Sequence, residues 1–134
     1  VVLVEMRGME LLRRRLGSFD STSAASELIS TYEWDALVVL GGVNGVTLYQ
    51  SEGDVIHFDC LSPTPKQQIG LHDAAATALA VALGNGLPME DAGLLAAAAC
   101  DCILTAEASQ EFVDIDTLGT WLDELVWQMQ ISER

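Results

Sequence analysis

The stretch Gly70-Leu71-His72-Asp73, followed by ten mostly small residues from Ala74 to Leu83, places a glycine turn and a carboxylate at the start of a predicted helix. The first backbone N–H groups of a helix have no partner within it, and the helix dipole adds positive potential there. A phosphate can therefore bind at such a helix start without a lysine. Asp73 would stand beside that phosphate, where a carboxylate can take the proton of an attacking hydroxyl while the amides bear the developing charge.

The same segment also has a simpler interpretation, in which Asp73 is only the N-cap of the helix. The segments on either side favour the functional interpretation. An apolar run over residues 38–40 leads into Gly41-Gly42 and Gly45, and residues 87–99 open a second alanine-rich helix. Over about residues 5–109, this order resembles the C-terminal half of ribokinase-like (pfkB-type) carbohydrate kinases, and among them the heptose-phosphate kinases.

The resemblance implies a ribokinase-like three-layer α/β fold, of which this chain would hold the C-terminal portion, with helices packed on a partial sheet that includes a β-hairpin. It also implies ATP and Mg²⁺ as cofactors and phosphoryl transfer to a hydroxyl of a sugar or sugar phosphate. Asp73 matches the family's general base, Gly70 the first glycine of its anion hole, and Glu10 a glutamate that organises metal-bound water. Four positions match residues that border the nucleotide in the family: Gly42, Gly45, His72 and Ala97.

The sequence departs from the family at five places around this groove. Arg7 stands for an asparagine of the metal motif, and Ala97 stands for an asparagine near the nucleotide. His72 replaces the second glycine of the anion hole, where its side chain is expected to crowd the phosphate. Gln67 replaces an aspartate, and Thr105-Ala106 replaces a Gly-Lys pair. Three hypotheses stay open: a kinase half with an impaired anion hole, a kinase-derived binding or scaffolding domain that does not catalyse, and an unrelated acidic α/β domain.

The length of the chain limits what it can contain. At 134 residues it fits one compact domain, whereas a ribokinase-like kinase is about twice as long. Val1-Val2-Leu3-Val4 predicts a core strand that begins without a preceding turn. We therefore expect a single domain over residues 1–134 that is a fragment of a longer protein and lacks the sugar-binding half. Apolar surface left on the sheet would be covered by that half or by a second copy in a homodimer.

The charge and the cysteine content of the chain limit its possible partners and its cellular compartment. The formal net charge is −14, although four arginines against two glutamates leave the first sixteen residues at +2. An acidic body repels phosphodiester backbones, which argues against nucleic acid, and no apolar run is long enough to predict a membrane span. We expect a cytoplasmic protein. The three cysteines suit a reducing compartment, and Cys100 and Cys102 would point about 200° apart on a helix, so that buried thiols are expected rather than a metal pair.

Periodicity predicts helices over residues 6–16, about 21–32, 73–84, about 88–104 and from about 116. Strands are predicted over residues 36–40, 46–50 and 55–59, joined by turns at Asn44-Gly45 and Glu52-Gly53. Gly17 is expected to end the first helix, one of Ser21, Thr22 or Ser23 to cap the second, and Pro88 to occupy a first helical position.

Overall fold

The computed structural model describes residues 1–60, 70–105 and 115–132. Gln67 and Ala106, which the sequence analysis singled out, lie outside the described residues. The described part contains four strands and five helices. In chain order these are β1 (Val2–Glu5), α1 (Met6–Leu16), α2 (Ser21–Tyr32), β2 (Ala36–Leu40), β3 (Val46–Gln50), β4 (Val55–Phe58), α3 (Leu71–Gly84), α4 (Met89–Thr105) and α5 (Ile115–Ser132), with a short 3₁₀ turn at Gly42–Asn44.

The strands form one sheet in the order β1-β2-β3-β4. The first pair is parallel, with Val2 opposite Leu37, while the other two pairs are antiparallel and form the predicted hairpins. All five residues of β2 are buried, because this strand has neighbours on both edges and helices on both faces. A continuous apolar run is typical of a strand covered on both sides.

The side chains of β2 alternate between two cores. Val38 and Leu40 face a core shared with α3, α4 and α5. Leu37 and Val39 face the opposite core, which is built with α1 and α2. The result is a three-layer α/β arrangement in which the sheet separates two helical layers. The predicted fold class is confirmed by this architecture.

Small residues let the helices lie close to the sheet. A Cβ atom added to Gly93 of α4 would come 3.2 Å from side-chain atoms of both Leu48 and Phe58. The alanines Ala75, Ala78 and Ala82 bury one side of α3 against its neighbours. These residues therefore set the distance between the α3–α4 layer and the sheet.

The helix ends agree with the sequence only in part. Gly17 ends α1 in the left-handed conformation at φ 69°, as predicted. The cap of α2 is Asp20, whose carboxylate accepts a 2.8 Å hydrogen bond from the Ser23 N–H. The prediction of a serine or threonine cap is therefore wrong. Pro88 precedes α4 by one residue, and its carbonyl accepts the first helical bond from the Ala92 N–H at 3.0 Å.

The N-cap interpretation of Asp73 is also wrong. The N-cap of α3 is Gly70, which has φ 94° and forms no side-chain cap hydrogen bond. The first helical bond runs from the Ala74 N–H to the Gly70 carbonyl at 3.0 Å. Asp73 is the third residue of the helix and lies in its first turn, where a negative charge is favourable to the helix dipole.

Two of the three thiols are buried, as predicted. Cys100 and Cys102 lie in the α3–α4–α5 layer, and burial raises the pKa of the Cys100 thiol to about 12. Cys60 is only half-buried, with its Sγ 3.5 Å from Asp101 Oδ1. None of the helices in the described ranges is long and apolar enough to cross a membrane.

Gly45→Ala is expected to destabilise the fold by about 2–4 kcal/mol, because the backbone has φ 85° and the new Cβ would meet the Phe58 carbonyl oxygen. Gly53→Ala shares the positive φ but has nothing within 4 Å, and it should cost about 1 kcal/mol. Gly84→Ala, in open space on α3, should be neutral or stabilising. Urea unfolding measures all three. Equal decreases in the free energy of unfolding for Gly45→Ala and Gly53→Ala would contradict the packing argument.

Candidate functional site

A cleft of about 400 Å³ opens where the carboxyl ends of β1 and β2 meet the start of α3. The two strands run parallel, so their carboxyl ends reach the same edge of the sheet. Open α/β sheets bind ligands outside this edge. The cleft is lined by Glu5, Met6, Arg7, Leu40, Gly41, Gly42, Gly70, Leu71, His72 and Asp73.

The first turn of α3 supplies hydrogen-bond donors to the cleft. The first bond within the helix is made by the Ala74 N–H, which leaves the N–H groups of Leu71, His72 and Asp73 without helical partners. All three residues line the cleft. Gly70 makes the turn by adopting φ 94°, in space where a Cβ would meet nothing within 4 Å. Glycine is therefore needed here for its backbone conformation, and the amides beside it form an anion-binding helix start.

The Asp73 carboxylate is available for chemistry. Its side chain is exposed, and within the described residues it forms no hydrogen bond or ion pair. Asp73 and Gly70 also line a second groove of about 440 Å³, which runs along α3 between α4 and α5. The walls of this groove are apolar apart from Thr77: Ala74, Ala78, Val81, Leu95, Ala99, Ile103 and Leu118. Asp73 thus stands between a polar cleft and an apolar groove.

His72 occupies the second position of α3 and is exposed at the border of the cleft. Within the described ranges, Glu33 is the only non-glycine residue with a positive φ, so the φ of His72 is not positive. The helical backbone at this position therefore does not need a glycine. The crowding of a phosphate by the imidazole stays a prediction, since it concerns a ligand-bound state.

The glycine hairpin contributes less to the cleft than the resemblance implies. Gly42 lines it, but Gly45 is buried against β4, and a Cβ there would clash with the Phe58 carbonyl oxygen. The Gly45 N–H donates to the Gly42 carbonyl at 3.0 Å, so it is not free for a phosphate. Gly45 and the buried Ala97 line a much smaller cavity of about 10 Å³ beside Asp101.

Glu10 does not line the cleft. Its carboxylate accepts hydrogen bonds from Arg13 Nη2 at 2.6 Å, Arg13 Nε at 3.0 Å and Arg14 Nε at 3.2 Å. Hydrogen bonding to Arg13, aided by Arg14, lowers the Glu10 pKa from 4.5 to about 2. Arg13 and Arg14 therefore hold the Glu10 carboxylate against its own helix.

Two charged residues of the cleft were not predicted as site residues. Glu5 ends β1, and Arg7 is the second residue of α1; both are exposed and both line the cleft. In the sequence analysis, Arg7 was noted only as a departure from the family. The strand topology identifies both Glu5 and Arg7, because residues that follow parallel strands lie at the same edge of the sheet.

Comparisons with known proteins agree with this architecture. A scan against models of known protein families gives no match. An uncharacterized sugar kinase of Buchnera aphidicola subsp. Schizaphis graminum is 31% identical over 97 residues, covering 72% of this chain and 31% of that protein. The bifunctional protein HldE of Halorhodospira halophila is 29% identical over 109 residues, covering 73% of this chain and 23% of that protein. The chain thus spans less than a third of the length of these curated relatives.

Solved structures match almost the whole chain. The ribokinase of Thermotoga maritima superposes with a TM-score of 0.77 at 23% identity, over 91% of this chain and 42% of that one. Phosphofructokinase-2 of Escherichia coli, in complex with potassium, gives a TM-score of 0.81 at 18% identity, over 93% and 41%. The fold is ribokinase-like. The resemblance to the ribokinase-like carbohydrate kinases is thereby confirmed, and this chain contains part of their fold.

The ion pairing of Glu10 predicts a titration far below that of an ordinary glutamate. In a carboxyl NMR titration the midpoint should lie at about 2, and Arg13→Gln should return it towards 4.5. The folded pKa is depressed, so the contribution of this group to stability is present above pH 4.5 and is lost as the pH falls towards 2. Arg15→Gln is the control. A Glu10 midpoint that moves when Mg²⁺ is added would contradict the placement of Glu10 outside the cleft.

Proposed function

We propose that this chain is the nucleotide-binding half of an ATP-dependent sugar or sugar-phosphate kinase of the heptose-phosphate kinase type. The observation that carries the proposal is the Asp73 carboxylate, which has no partner in the described part of the chain. It lies in the same helical turn as three amides without helical partners, at the cleft where two parallel strands end. Phosphoryl transfer needs a group to accept the proton of the attacking hydroxyl and donors that bear the charge on the phosphoryl oxygens.

Each part of the proposed site has one role. Asp73 takes the proton as the sugar oxygen forms its bond to the γ-phosphorus, while the bond from phosphorus to the bridging β,γ-oxygen breaks. The amides of Leu71, His72 and Asp73 hold the transferring group in place. Gly42 and Gly41 border the remaining phosphates. Gly45 and Ala97 support the hairpin and the helix behind it, since their burial leaves them no contact with the cleft.

The divalent metal expected from the resemblance does not fit Glu10. That carboxylate is engaged by two guanidinium groups and lies outside the cleft. We therefore assign no catalytic step to a metal at this position.

A second half is part of this proposal. The groove beside Asp73 is apolar, with Thr77 as its polar exception, and offers little to recognise sugar hydroxyls. In the described part of the sheet, β1 has a neighbour on one edge only. An open edge of this kind is where a sheet can continue. A sugar-binding half that extends the sheet past β1 would pair with this open edge and supply groups that recognise the sugar. The likeness to kinases more than twice as long supports it.

We place the whole protein in the cytoplasm, where the three thiols of this chain stay reduced.

The alternative function is a kinase-derived domain that binds but does not catalyse. Glu10 favours it, because a glutamate with the expected metal role is instead tied to Arg13 and Arg14. The two functions differ in whether the Asp73 carboxylate is used.

The chain by itself is expected to bind ATP weakly, with a Kd in the millimolar range, which corresponds to about 4 kcal/mol. The reason is that the described cleft offers one turn of amides and the two glycines Gly41 and Gly42 rather than an enclosed pocket. Calorimetric titration of the 134-residue chain measures this. Low-micromolar binding would contradict the expectation that several nucleotide contacts are missing.

Asp73→Asn is expected to lower kinase turnover by about 10²-fold to 10⁴-fold in the polypeptide that contains this chain together with its sugar-binding half. Nucleotide affinity should stay within about twofold, because the amides of the helix start are unchanged. Asp91→Asn is the matched control, since Asp91 is an exposed acid in the first turn of α4 and does not line the cleft. Unchanged turnover in Asp73→Asn would overturn the assignment and favour the binding domain.

A further inference from the structure

We infer that Arg7 is the cationic group that meets phosphate in this cleft, so that phosphate binding here does not require a divalent ion. The inference rests on the proposed function and identifies the charged side chain that would bind the phosphate. It follows from two residues of α1 that sit three positions apart and face different surroundings: Arg7 lines the cleft, and Glu10 does not.

Glu10 is committed to its own helix. Arg13 holds both of its carboxylate oxygens, through Nη2 at 2.6 Å and Nε at 3.0 Å, and Arg14 adds a third hydrogen bond at 3.2 Å. A hydrated cation would have to displace two guanidinium groups to reach it. Charge-assisted and bidentate bonds of this kind are the strong ones.

Arg7 has the opposite character. It is exposed at the wall of the cleft, and within the described residues its guanidinium forms no ion pair or hydrogen bond. Arg7 also lies in the first turn of α1, which contains no acidic residue. A cation at a helix N-terminus is opposed by the helix dipole. Helix stability therefore gives no reason for an arginine at this position.

The neighbours of Arg7 suggest a ligand for it. The cleft is also lined by Leu71, His72 and Asp73, whose amides precede the first helical bond of α3 and have no hydrogen-bond acceptor among the described residues. A phosphate at those amides would bring negative charge into a cleft where Arg7 is the one arginine or lysine of the described lining. The guanidinium fork matches phosphate oxygens and stays charged at every relevant pH. Glu5 and Asp73 are the carboxylates of the same cleft and are the groups that would hold a divalent ion if one were needed.

The test is an NMR titration of the full 134-residue chain with ATP, whose γ-phosphate is the group assigned to the amides of residues 71–73, once with excess Mg²⁺ and once with EDTA. The amides of residues 71–73 and the Arg7 Nε–H report binding. The wild type should give the same Kd within about threefold in both conditions. Arg7→Ala should weaken binding by about tenfold, and Arg7→Lys should recover part of the loss. Arg15→Ala, an exposed arginine at the other end of α1, should change nothing.

The outcomes separate the inference from the proposed function. Binding at residues 71–73 that requires Mg²⁺ overturns the inference, whatever Arg7→Ala does, and leaves the cleft as a nucleotide site held by a metal at Glu5 or Asp73. Metal-independent binding that is unaffected by Arg7→Ala also overturns it. No perturbation of residues 71–73 in either condition overturns the proposed function itself. Unfolding midpoints of the variants, measured alongside, show that each one is folded.

Discussion

The burial of β2 on both faces is the constraint on which the rest of the structure depends. Its five residues divide between two cores, so one helical layer must cover each face of the sheet. Its parallel pairing with β1 and antiparallel pairing with β3 then fix where the chain turns. The carboxyl ends of β1 and β2 are left at one edge, and the start of α3 closes that edge into a cleft.

The elements could be predicted from the sequence because their patterns are strong. The β-branched run of β2, the glycine turns of the hairpins and the alanine-rich runs of α3 and α4 each point to one type of structure. Cap positions were harder. Asp20 rather than a following serine caps α2, and Gly70 rather than Asp73 precedes α3. A cap depends on the φ and ψ of a single residue, and several neighbouring residues were chemically suited to each position.

The candidate site could be predicted at α3 but not at α1. The helix start at residues 70–73 is encoded locally, and these residues line the cleft. Glu10 differs because the direction of its carboxylate depends on its partners. Arg13 and Arg14 lie three and four positions after Glu10, which is the spacing at which side chains on a helix form pairs. The ion pairs with Glu10 could therefore have been predicted from the sequence. The family resemblance assigned Glu10 a role in metal binding, and the local ion pairs compete with that role.

The central claim is that phosphate binds at the cleft between the start of α3 and Arg7. A crystal structure of the chain grown with a high concentration of ATP tests it most directly. The account predicts phosphate oxygens within hydrogen-bonding distance of the amides of residues 71–73 and of the Arg7 guanidinium, with Glu10 still paired to Arg13. A nucleotide seated instead in the apolar groove between α3, α4 and α5, with its phosphates away from residues 70–73, would contradict it.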